Sequence, residues 1–153
     1  MIGGWVGAAL TALILLCAGR LIWVDLRRFE IEIPTLLLLG SALLAQSALS
    51  GTPLEVLVRL LAALAFYGAV ILLTRNVRGL SRIGAGDPPL IGVIAFMVFP
   101  LLVPWALLAG LMILITAAAY SRIRRKRFLR SMFPAAPPLL AAAIPIYLIV
   151  LST

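Results

Sequence analysis

Long apolar runs separated by short polar breaks dominate the pattern of this 153-residue chain. The runs cover approximately residues 1–24, 33–50, 54–74, 88–102, 105–120 and 133–151. A helix needs about 20 consecutive apolar residues to cross a bilayer, and the longer runs reach that length. The pattern therefore predicts an all-α protein, a polytopic membrane helical bundle with about six transmembrane helices.

Composition strengthens this prediction. Apolar residues make up 64% of the chain, charged residues only 12%, and the mean hydropathy is +1.20. So few charged residues could not cover the outside of a soluble fold of this size. The length allows one domain, which we take as residues 1–153.

The net charge of +8 could indicate nucleic-acid binding, but the charges lie in short clusters between apolar spans. We therefore expect contact with membrane lipid and no nucleic acid. Histidine is absent and Cys17 is the only cysteine, which excludes an internal disulfide and a Cys/His zinc site. No metal or organic cofactor is expected.

Basic residues predict the orientation, because cytoplasmic loops are enriched in lysine and arginine. Eleven of the thirteen basic residues follow the first, third and fifth runs, and none follows the second or fourth. Both termini are therefore predicted to be non-cytoplasmic, in a multi-pass protein of the cytoplasmic (inner) membrane. Residues 121–130 hold six of these charges, and either a lipid-contacting anchor or a docking surface for an acidic partner fits them.

The two aspartates of the chain share one predicted membrane face. Asp25 ends the first span, and Asp87 precedes the fourth, directly after the glycines Gly84 and Gly86. The predicted topology brings both to the cytoplasmic surface. An acid next to an apolar span is costly and indicates a functional site. A third acid, Glu55, lies four residues before Arg59 and could form an ion pair on one helix face.

A pair of carboxylates at this position could hydrolyse a peptide bond. Two adjacent carboxyl groups tend to share one proton. The ionised member can then take a proton from water while the neutral member donates one to the scissile carbonyl, and the pair titrates as a unit. Gly84 and Gly86 would let a substrate strand approach closely. The alternative is that these glycines form a turn and that Asp87 is only an N-cap.

These residues resemble the motifs of the type IV prepilin peptidases, membrane aspartic peptidases of the GxGD class. Asp25, Arg27 and Ile33-Pro34 match a D-x-R…I-P-N stretch. Four further residues match G-x-G-D-x-K-L, namely Gly84, Gly86, Asp87 and Leu90. The chain departs from the family pattern at two residues: Thr35 stands where asparagine is usual, and Pro89 stands where lysine is usual. The interval from Asp25 to Pro34 is also about two residues longer than in the family pattern.

The resemblance implies an endopeptidase that cleaves the leader of a prepilin or pilin-like protein at the cytoplasmic membrane face. It implies Asp25 and Asp87 as the catalytic dyad. The chain looks like the short form of the family, without the cysteine-rich region and without N-methyltransferase activity. Two alternatives remain: an inactive homologue that assists pilus or secretion assembly, and a small transporter that uses the aspartates as proton or cation sites.

Overall fold

The structure is a computed structural model that describes residues 2–76, 87–124 and 134–152. These residues form helices and connecting turns, with no strand among them. The six helices are α1 (Ile2–Arg28), α2 (Ile33–Ser50), α3 (Pro53–Asn76), α4 (Asp87–Val98), α5 (Leu102–Arg124) and α6 (Ala136–Ser152). The all-α prediction is confirmed.

Within the described residues, three helices are long and apolar enough to cross a membrane: Trp5–Arg28, Ile33–Ser50 and Pro53–Leu73. The apolar parts of α4, α5 and α6 are shorter. Large apolar side chains such as Trp5, Leu16 and Leu107 are exposed, as lipid-facing residues would be. These features indicate a membrane protein, while the number of six crossings and the side of the termini stay predictions.

Helix α1 continues about one turn beyond the apolar run that defines it. Asp25, which was predicted to end the first span, lies inside the last turn of the helix. The helix ends at Arg28, and the next residue, Phe29, has a φ of 55° and donates its N–H to the carbonyl oxygen of Asp25 over 2.9 Å. A residue in the left-handed region is a common way to end a helix, although glycine usually occupies it.

Helix α4 forms the centre of the bundle. It packs against α2, α3, α5 and α6, and eight of its twelve residues are buried. Leu90 and Ile94 are completely inaccessible to solvent. Because α4 is apolar on all sides, it can be surrounded by other helices, which fits the high hydropathy of this run. Asp87, its first residue, is thereby held at one end of the core.

Helix α6 begins in a proline-rich segment. Pro137 and Pro138 lie in its first turn, and Pro145 lies inside it. Proline is tolerated in a first turn, because the N–H groups there have no partner within the helix. The helix packs against α1, α4 and α5, and the Trp105 side chain of α5 donates to the Leu139 carbonyl over 3.3 Å.

Candidate active site

Asp25 is a buried carboxylate with a defined backbone partner. Its side chain is only 4% exposed. Its Oδ2 atom accepts the N–H of Ala136, the first residue of α6, over 2.8 Å. A buried ionisable group requires such a partner, because an unpaired charge or polar atom in an apolar environment is expensive. The hydrogen bond fixes the orientation of the carboxylate and occupies one of its oxygens.

The prolines at the start of α6 explain why Ala136 is the donor. The first N–H groups of any helix lack intrahelical partners. Pro134, Pro137 and Pro138 have no N–H at all, so few donors remain in this turn. Asp25 satisfies one of them from 111 residues away along the chain. A carboxylate is also favoured at a helix N-terminus by the helix dipole.

Asp87 is the first residue of α4, and its charge influences the Asp25 carboxyl group less than burial and the hydrogen bond from Ala136 do. Its side chain is partly buried at the beginning of α4 and has interactions of its own. Pro88 and Pro89 follow it and have no N–H, so Leu90 is the first residue after Asp87 that could donate to an N-capping carboxylate. The last turn of α1 and the first turn of α4 therefore bring the two aspartates to the same end of the bundle.

The remaining motif residues have separate structural roles. Pro34 lies in the first turn of α2, and Leu90 is buried in the core. Arg27 stacks over the ring of Trp23 on its own helix, with its Cζ 4.1 Å from the ring centroid. Such a cation–π contact suits an arginine near a membrane surface. Gly84 and Gly86 lie outside the described residues.

An ion pair that no sequence motif indicated joins α1 to the start of α2. Arg20 donates from Nε to Oε2 of Glu32 over 2.6 Å and from Nη2 to Oε1 over 2.8 Å. Thr35, which stands where the family has asparagine, also donates its hydroxyl to Glu32. These hydrogen bonds, that of Arg20 first, lower the pKa of Glu32 from 4.5 to about 2. The pair fixes the connection between Asp25 and α2, so Thr35 takes part in positioning this end of the bundle.

The described part of the chain contains no group of three or more histidine, cysteine, aspartate or glutamate side chains that could hold a metal ion. Among the described residues at this end of the bundle, Asp25 and Asp87 carry the two carboxylates that the sequence predicted as a pair. A scan against protein-family models matches no family, and searches of curated proteins and of solved structures find no similar chain.

Proposed function

We propose that this chain is a membrane aspartic endopeptidase that cleaves the leader of a prepilin or pilin-like protein at the cytoplasmic membrane face. Asp25 and Asp87 form the dyad that activates water. The enzyme works without metal or organic cofactor, has no N-methyltransferase activity, and crosses the cytoplasmic membrane several times with both termini outside the cytoplasm.

The observation that carries this proposal is a buried Asp25 at the same end of the bundle as Asp87, which is 62 residues away in sequence. Asp25 is held by the N–H of Ala136, and Asp87 begins α4 at that end. One carboxylate is enough to accept this backbone N–H, so capping alone does not require a second acid there. Active sites arrange groups in this way, because the shared proton lets one member act as base and the other as acid.

In the proposed reaction, the ionised carboxylate takes a proton from water as the water oxygen attacks the scissile carbonyl carbon. The protonated carboxyl group donates its proton to the carbonyl oxygen, which gives a neutral tetrahedral diol. When the C–N bond breaks, a diol hydroxyl returns its proton to a carboxylate and the leaving nitrogen takes one from the dyad. The products are a carboxylic acid and an amine, and the dyad again holds one proton. The oxygen of Asp25 that Ala136 does not bind is available for this exchange.

The test is co-expression with a candidate prepilin while Asp25→Asn and Asp87→Asn are introduced singly. An asparagine at residue 25 can still accept the N–H of Ala136 through its side-chain oxygen, so the fold should be kept while the charge is lost. Glu30→Gln is the matched control, because Glu30 is an exposed acid near the same end of α1. Leader cleavage, read as a mobility shift, should fall by at least about 100-fold in both aspartate variants, as loss of acid–base catalysis predicts, and persist in the control.

Persistent cleavage in either aspartate variant would disprove the dyad mechanism. Absence of cleavage by the folded wild-type protein across several pilin-like substrates would favour the inactive assembly factor. Proton or cation uptake into vesicles that depends on both aspartates would favour the transporter.

A further inference from the structure

A cavity of about 180 Å³ lies at the end of the bundle opposite to the aspartate pair. It is bounded by the C-terminal parts of α2, α4 and α6 and by the start of α3. Asp87 and Met97, which lines the cavity, are ten residues apart on α4, so about 15 Å separates the two regions along the helix axis. The cavity is therefore distinct from the proposed active site.

Polar groups line one side of this cavity. The hydroxyl of Tyr147 donates to the Gln46 side-chain oxygen, and the Gln46 amide donates to the Thr11 hydroxyl over 3.1 Å. Tyr147 and Gln46 are 4% and 8% exposed, so this chain of hydrogen bonds lies in the interior of the bundle. Ser47 and Ser50 add two hydroxyl groups to the lining.

Two opposite charges, Glu55 and Arg59, lie one turn apart on α3 and line the same cavity. The sequence suggested an ion pair between them, yet neither belongs to an ion pair among the described residues. Glu55 instead accepts the N–H of Thr52 through Oε2 over 3.0 Å, and its own N–H donates to the Thr52 hydroxyl over 3.3 Å. This reciprocal capping holds the Glu55 carboxylate over the turn and leaves its Oε1 atom available.

Gly51 makes this arrangement possible. A Cβ atom at residue 51 would lie 3.0 Å from Oε2 of Glu55 and 3.0 Å from the Ser47 carbonyl oxygen. A side chain there would push the carboxylate away from the turn. Arg59 is partly buried and lines the cavity together with Tyr147. The result is a fixed acid and a guanidinium without an ion-pair partner among the described residues, one turn apart at the edge of one polar space.

We propose that this cavity binds the headgroup of an aminophospholipid from the non-cytoplasmic leaflet. Arg59 binds the phosphate and Glu55 binds the primary ammonium group. Side chains four residues apart on a helix have Cβ atoms about 5–6 Å apart, which suits two opposite charges carried by one small headgroup. Guanidinium and phosphate form strong charge-assisted hydrogen bonds, to which the cavity hydroxyls can add.

A lipid, rather than a soluble zwitterion, fits the surroundings. The α3 span is only 6% buried within the protein, so this helix is exposed to the bilayer along most of its length. Glu55 is two residues after the start of α3, which places it at the membrane surface where the chain reverses direction. Arg59 lies about 6 Å deeper and can extend its side chain toward the headgroup layer. Phe96 and Met97 give the cavity an apolar wall for the glycerol and upper acyl carbons.

The test is native mass spectrometry of the purified full-length protein in detergent, with three lipids that have identical acyl chains. Phosphatidylethanolamine supplies both charges, phosphatidylcholine has no ammonium N–H, and phosphatidylglycerol has no ammonium group. Phosphatidylethanolamine should bind about tenfold more tightly than either of the others, since only it makes both charge-assisted contacts. Equal binding of all three would overturn the proposal.

Two variants assign the contacts. Arg59→Gln should weaken phosphatidylethanolamine binding about tenfold, while Glu55→Gln, which can still cap α3, should abolish the preference over phosphatidylcholine. Arg28→Gln is the control, because Arg28 is an exposed arginine at the other end of the bundle and should leave binding unchanged. An equal loss in Arg28→Gln, or unchanged binding in both cavity variants, contradicts the proposal.

Circular dichroism and gel filtration establish that each variant is folded. If Arg59→Gln does not fold, the single variants Arg59→Lys and Glu55→Gln replace it in the test. Arg59→Lys should retain phosphate-dependent binding. A folded Arg59→Lys variant that binds no lipid would contradict the assignment to a lipid headgroup. Displacement of bound lipid by an equal concentration of soluble phosphoethanolamine would show that a free zwitterion is the ligand and would overturn the assignment to lipid.

Discussion

The close approach of α3 and α4 depends on Gly92, and replacing it should weaken the bundle. A Cβ atom at residue 92 would lie 3.3 Å from Cβ of Tyr67 and 3.4 Å from the carbonyl oxygen of Ala63. Neither neighbour is the far end of a flexible side chain, so the backbone of α3 or α4 must move by a few tenths of an ångström to make room. Small residues at helix interfaces permit such close approach in membranes.

Two effects of Gly92→Ala oppose each other. Alanine stabilises a helix interior relative to glycine by roughly 0.5–1 kcal/mol, while overpacking a close interface costs about 1–3 kcal/mol. Gly68→Ala, on α3, is the matched control, because nothing lies within 4 Å of its added Cβ. The control should gain only the stabilisation that alanine gives a helix interior, because its methyl group meets no neighbour. Gly92→Ala should therefore be about 1–3 kcal/mol less stable than Gly68→Ala.

Unfolding of the two alanine variants by sodium dodecyl sulfate in mixed micelles measures this difference, with helicity as the signal. Gly92→Leu extends the series, since its additional side-chain atoms should cost more than the single methyl group. Equal stability of Gly92→Ala and Gly68→Ala would refute the argument that the α3–α4 contact is fixed by the absence of a side chain.

Two further predictions concern the same end of the bundle as the aspartates. The folded-state pKa of Glu32, about 2, is below its ordinary value of 4.5, so the stability from its pairing with Arg20 is present above about pH 4.5 and is lost as the pH falls toward 2. Glu32→Gln should therefore make the thermal unfolding midpoint fall less steeply over this pH range. An unchanged pH profile in the variant would contradict the role of the pair. Pro89→Lys should preserve or raise leader cleavage, because lysine stands at this position in the family that the motifs resemble and its ammonium group would approach Asp87. Loss of cleavage in the folded variant would show that proline is required at this position.

The start or end of a helix could be predicted from the sequence where a single residue type determines it. The start of α2 at Ile33 was predicted, because an apolar run begins there and proline at the next position favours a first helical turn. The last turn of α1 was missed. Charged residues after Val24 indicated a loop, but the charge of a side chain does not prevent its backbone from remaining helical at a membrane surface. What ends the helix is the backbone of Phe29, for which the residue type gave no warning.

Contacts between residues far apart in the sequence were harder to predict. Charge distribution was enough to suggest that Asp25 and Asp87 share a membrane face, since this follows from topology alone. No pattern indicated that Asp25 accepts the N–H of Ala136, because the donor is a backbone group whose availability depends on the prolines around it. The expected contact between Glu55 and Arg59 was wrong for a local reason: the turn at Thr52 offers Glu55 a backbone N–H nearer than the guanidinium.

The shortness of α4 has a consequence for access to the proposed active site. Its twelve residues span only about 18 Å, whereas the hydrocarbon layer of a typical membrane is about 30 Å thick. Because α4 packs against α2, α3, α5 and α6, this short length affects the interior of the bundle and not the lipid around it. The aspartate at the start of α4 therefore lies at the end of an apolar core that is thinner than the membrane, and water has a shorter path to it than the membrane thickness would suggest. The length of this central helix thus becomes a physical variable of the site, as much as the side chains that form it.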